Sequence, residues 1–126
     1  MAHEIGAGID VTMVAGAAIT EFRIVCLDST ATQVVHPAAT TSVPFGVAQE
    51  SAASGAPVRV RIFGASKLEI HSAIAAIGTV LGIGATTGRA DDIASTIYPI
   101  GYSLSTGANQ GEIISAMINP TLTPRA

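Results

Sequence analysis

Few side chains here could do chemistry: three histidines (His3, His36 and His71), one cysteine (Cys26), nine acidic residues and six lysines or arginines in 126 residues. The histidines are far apart and none belongs to an HExxH or CxxC spacing, so a metal site would have to be assembled wholly by the fold. Cys26 lies in the apolar run Ile24-Val25-Cys26-Leu27, with no histidine beside it to lower its pKa, and is expected as an inert buried hydrophobe. Being single, it can form no intrachain disulfide. The run Gly82-Ile83-Gly84-Ala85-Thr86-Thr87-Gly88 lacks the Lys-Ser or Lys-Thr of a phosphate cradle and misses the GxGxxG spacing by one. It is followed by Arg89-Ala90-Asp91-Asp92 rather than by an apolar helix. No serine stands in a GxSxG elbow, and Asp91 and Asp92, being adjacent, would point to opposite faces of a strand and share no proton. Asp10, Asp28, Asp91 and Asp92 form no alternating acidic run able to surround a calcium ion. The expectation is a non-enzyme, with no catalytic residue, metal or cofactor and no small-molecule substrate, that acts by binding or as structure.

Arg59, Arg61 and Lys67 are the one concentration of positive charge. Such a strip is either a solvated strand face carrying a cross-strand Arg61–Glu69 pair or a docking strip for an acidic partner surface. The net charge of −3 is the reverse of what phosphate backbones attract, so nucleic acid is not an expected partner. With 4% aromatic residues, no Trp, and only Tyr98 and Tyr102 as tyrosines, sugar recognition is poorly provided for. A mean hydropathy of +0.52 is high for a soluble monomer, and predicts apolar surface covered by sister subunits.

The elements that would position these residues are strands. Gly, Thr, Ser, Val and Ile dominate, and short apolar runs alternate with turn signals, which predicts an all-β barrel or sandwich. Residues 58–63 alternate most clearly, with Val58, Val60 and Ile62 facing one way and Arg59 and Arg61 the other. Residues 67–71 alternate as well, and a three-residue connection at Gly64-Ala65-Ser66 would make a hairpin pairing Ile62 with Leu68, Val60 with Ile70 and Arg61 with Glu69. That register would set His71 on an exposed strand opposite Arg59, whereas His36 is expected in a loop before Pro37. Further strands are predicted at 11–14, 23–27, 45–50, 79–83, 97–104 and 112–118, with one helical turn allowed at 72–77.

The chain also repeats itself. A shift of 55 positions lays Val43-Pro44-Phe45-Gly46 on Tyr98-Pro99-Ile100-Gly101 and Ala18-Ile19 on Ala73-Ile74. Two related β units, about 11–64 and 66–120, are inferred, each too small to close a core alone and together forming one domain over 11–126. Residues 1–10 carry Glu4 and Asp10 and no Lys or Arg, unlike an export signal. Their glycines suit a flexible arm that adds to a neighbour's sheet edge. The uncharged stretch 70–87 is too polar and glycine-rich for a membrane span, so no membrane partner is expected. Pro120 and Pro124 predict that the last strand ends near Ile118.

This order of features resembles the capsid decoration, or cement, proteins of tailed bacteriophages. The likeness rests on Pro44-Phe45-Gly46-Val47-Ala48, the turn Ala52-Ala53-Ser54-Gly55, Val58-Arg59-Val60-Arg61 ending in Gly64, Ile77-Gly78-Thr79-Val80-Leu81 and Ile100-Gly101-Tyr102-Ser103-Leu104. The resemblance implies a place on the outer surface of an assembled shell, often as trimers, clamping adjacent major capsid protein subunits. Candidate capsid-binding residues are His3, Glu4, Ile5 and Ile9 in the arm, with Arg59 and Arg61 on the strip. A receptor- or glycan-binding β module of a virion surface is the alternative.

Overall fold

The computed structural model describes residues 8–93 and 95–125. Among them there is no helix, and β-branched runs punctuated by Gly, Pro and Ser give nine strands: β1 (Ile9–Val14), β2 (Ile24–Leu27), β3 (Val34–Val35), β4 (Gly46–Ala48), β5 (Pro57–Glu69), β6 (Val80–Ile83), β7 (Ala90–Asp92), β8 (Pro99–Ser103) and β9 (Ile113–Ile118). The all-β expectation holds. Residues 72–77 hold bends around a single bridge residue, Ile74, and enter a turn at Ile77 rather than forming a helical turn, and β3 and β7 are strands that the sequence pattern did not signal.

The predicted hairpin at Gly64-Ala65-Ser66 does not exist, because β5 runs unbroken through it for 13 residues. Parity could not distinguish the two cases: residues 58, 60, 62, 68 and 70 share one face of a continuous strand as readily as they pair in a three-residue hairpin. Gly64, Ala65 and Ser66 are small because they are packed, not because they turn; Ala65 and Ser66 are buried, whereas a hairpin tip would be exposed. His71 therefore lies beyond the end of β5, where its N–H bonds to Ala90 O and its ring meets the Gln110 amide at 3.2 Å.

β5 belongs to two closed circuits. The sheet runs β3-β2-β4-β5-β9-β8-β6-β7, with β1 also on β5. A parallel bridge from Ile70, just past β5, to Ala90 closes β5-β9-β8-β6-β7 into a five-stranded barrel, and a parallel bridge from Ala15 to Val34 does the same for β1-β5-β4-β2-β3. Each circuit has its own filling, and the second filling extends onto one face of the first barrel. Ala15, Ile19, Val25, Val34, Ala48, Val58 and Val60 fill the first. Leu68, Ile70, Ile74, Leu81, Ile83, Ile100, Ile114 and Ile118 belong to the second, which Ile24, Cys26 and Val47 join from the outer face of the first barrel.

The contacts themselves recur at 55 or 56 residues. The bridge Ile19–Ala52 returns as Ile74–Gly107, the bond from Gly55 N–H to Ala15 O as Gly111 N–H to Ala15's counterpart Ile70, and the pair Met13–Val58 as Leu68–Ile114. The repeated glycines of the two Pro-containing blocks do the same work. A Cβ on Gly46 would stand 2.4 Å from Arg61 O, and one on Gly101 would stand 1.8 Å from Met117 O, so both strands approach their neighbour only without a side chain.

Candidate functional site

Of the predicted contact residues, Ile9, Arg59 and Arg61 lie on the β1–β5 ladder. His3, Glu4 and Ile5 lie outside the described residues. Ile9 opens β1, two residues earlier than the strand was expected to start, and pairs with Phe63 of β5; both are exposed, at 56% and 49%. Arg59 is half exposed and holds Asp10 at 3.3 Å. Arg61 departs from expectation: it is only 7% exposed and is not opposite Glu69. Its guanidinium binds both Asp10 oxygens, at 2.7 and 3.1 Å, and donates to Ala65 O at 2.7 Å. The reason lies in register, since Asp10 sits directly across from Arg61 in the β1–β5 ladder. The Arg61 hydrogen bond, opposed by burial and reinforced by the charges of Arg61 and Arg59, keeps the Asp10 carboxyl below the usual carboxylate range. Of the positive strip, Arg59 is the exposed arginine.

The junction of the barrels is polar as well as apolar. Glu69 ends β5, and although burial favours its neutral form, Arg23 and Arg89 together outweigh this and hold its pKa below normal. Arg23 grips it through two bonds of 3.2 Å, and Arg89 adds a third contact. Gln49 donates to Ser66 Oγ at 2.8 Å in the same buried layer, and Lys67 Nζ lies 5.5 Å from the Phe22 ring centroid. None of these pairings is readable from sequence, because the partners are far apart in the chain and, except for Arg89 and Glu69, lie on different units.

An apolar groove of ≈ 500 Å³ is lined by Cys26, Leu27, Val43, Phe45 and Leu122, with Asp28 and His36 also on its wall. Burial pushes the Cys26 thiol up to about 11, which keeps it protonated and unreactive at neutral pH. His36 serves the backbone: Nε2 accepts from Thr20 N–H and Nδ1 faces Ile24 O at 3.1 Å. Burial lowers its pKa, against the pull of that carbonyl and with help from the Arg23 charge. Among the described residues no three His, Cys, Asp or Glu side chains converge as metal ligands, and no helix is long and apolar enough to cross a membrane.

Comparison with known proteins supplies what the side chains do not. No curated protein sequence matches the chain. Among solved structures, the N base of the head fiber gp8.5 in bacteriophage phi29 superposes with a TM-score of 0.67 over 93% of this chain and 99% of that one. Its 21% identity makes this a likeness of fold. A family model described as phage cement protein matches residues 3–118. Spanning nearly the whole two-barrel body, that match places this chain in the phage cement protein family.

Proposed function

We propose that this chain is a capsid decoration protein, which binds the outer surface of an assembled phage head as a homo-oligomer, a trimer being favoured, and strengthens contacts between major capsid subunits. The observation that carries this reading is the match to the cement family over residues 3–118. The body, with related units at about 11–64 and 66–120, is a stiff, doubly closed scaffold that works by contact, without catalysis. The capsid-facing surface is assigned to residues 1–8, Ile9 and the exposed Arg59, which lie at the start of the chain and on the adjoining face of β5. Many weak contacts presented together by an oligomer suffice, because once one subunit binds the others act at high effective concentration. Binding that favours the mature shell stabilises it by mass action.

The test uses phage heads lacking the decoration. Full-length chain should cosediment with them and raise the temperature at which they release DNA, whereas a variant lacking residues 1–8 should stay folded and bind more weakly. Decorated heads that rupture at the same temperature as bare ones would refute the cement role, and undiminished binding by the shortened chain would refute the role of the first eight residues.

A further inference from the structure

The ladders define the same cross-strand row in each barrel. Ile24 of β2, Val47 of β4 and Arg61 of β5 stand side by side in the first; Val80 of β6, Tyr102 of β8 and Met117 of β9 do so in the second. The first row is buried, with Ile24 and Val47 at 0% exposure, while Tyr102 is 44% exposed and Val80 and Met117 are only partly covered. Against this side of the first barrel lie the second half of β5 and the turn at Gly88, whose carbonyl takes the Ile24 N–H, and Ile24 and Val47 join the core cluster of Leu68 and Ile70. Ala65 O takes a bond from Arg61, Lys67 lies over Phe22, and Glu69 binds Arg23 and its N–H reaches Phe22 O.

The counterpart of the second half of β5 is β1. Val11–Val60 corresponds to Ser66–Ala116, and Val14–Pro57 to Glu69–Ile113, so Thr12 stands for Lys67 and Val14 for Glu69. Val14 is 45% exposed, as bare as the row it would match. The chain thus contains one complete barrel-to-barrel contact and, at its two ends, the two unused halves of a second.

The residues at the unused halves differ from those of the internal contact on both sides. The ion cluster Arg23–Glu69–Arg89 of the internal contact is replaced at corresponding positions by Thr79, Val14 and Gln33, all neutral. Converting only one side would leave a charge in the contact without its partner. Joint neutralisation is what a matched pair of surfaces requires.

We infer that the Val80-Tyr102-Met117 face of one copy docks the β1 face, Thr12 and Val14, of a second copy, repeating between chains the contact that joins the barrels within one. The occupant is a second copy because its complementary half is present on this same chain. The contact is head to tail, so it propagates until the ring closes. It rests on the repetition of the fold and not on capsid binding.

Analytical ultracentrifugation without capsid, at about 100 µM, tests it. Wild type should self-associate, and Tyr102→Glu and Val14→Glu should each weaken association about 100-fold with unchanged circular dichroism. Mixing the two variants should give a heterodimer and nothing larger, since one intact face remains on each. Adding Thr79→Arg to Val14→Glu should restore assembly by recreating the Arg23–Glu69 pair between copies. A monomeric wild type, or either single variant assembling as wild type does, overturns the inference; a monomer would also remove the free homo-oligomer from the proposed function, but because no shell is present it leaves binding to the head to be decided by cosedimentation.

Discussion

The two barrels share a hydrogen-bonding plan but are filled differently. Where the second has Ile70, Leu81 and Ile114, the first has Ala15, Val25 and Val58 at the corresponding positions. Larger side chains remove more apolar surface from water, at about 25 cal/mol per Å², so the second barrel carries the greater share of the burial. The backbone plan survives this change because it depends on the bridges and on the two glycine approaches, which both barrels keep. Shape complementarity inside each barrel is local, whereas closure is common to both.

Truncating the interiors separates the barrels most sharply. Leu81→Ala should cost about 4 kcal/mol and Val25→Ala about 2 kcal/mol, read from urea denaturation; equal losses would show that the second barrel is not the more tightly built. The glycine approaches should instead behave alike. Gly46→Ala and Gly101→Ala each force a neighbouring strand away and should cost about 3 kcal/mol. Tolerance at one site and not the other would break the equivalence of the two blocks.

Acidification should give the smallest effect, in two stages. His36 is held neutral in the folded state, with a pKa below 6.5, so its contribution is complete above that value and lost as pH falls from there through the lowered native value. Asp10 and Glu69 have native values below their ordinary 3.8 and 4.5, so their contribution is present above those values and lost as pH falls through the lowered ones. Melting temperatures followed from about pH 8 to pH 3 should therefore fall first near the histidine range and again in the carboxylate range. His36→Gln should remove the upper stage, which belongs to the first barrel, and leave the lower; an unchanged upper stage would mean that another group is responsible.

Six predicted strands occupy their places to within two or three residues, because β-branched alternation is a local signal. β3 and β7 escaped notice: Val34–Val35 is two residues long and Ala90–Asp92 carries two aspartates, so neither shows a period. The hairpin error had a different origin. Gly-Ala-Ser describes a turn and a tightly packed crossing equally well, and the choice depended on Arg61 and Gln49 lying above it. The same error misassigned Arg61, whose partner Asp10 is 51 residues away. Of the expected surface, Ile9 and Arg59 are exposed, whereas the open Tyr102 row had no signature in a string of glycines and small apolar residues.

What the amino-acid order determined alone was the class of the fold, the poverty of reactive groups and the echo at 55 residues, since composition and alternation depend on neighbours in the chain. Only the tertiary structure decided that β5 passes straight from one barrel into the next, that each half encloses its own filling, and that Glu69 gathers Arg23 and Arg89. These depend on which distant residues meet, and burial and ion pairing act through space, whatever the separation along the backbone.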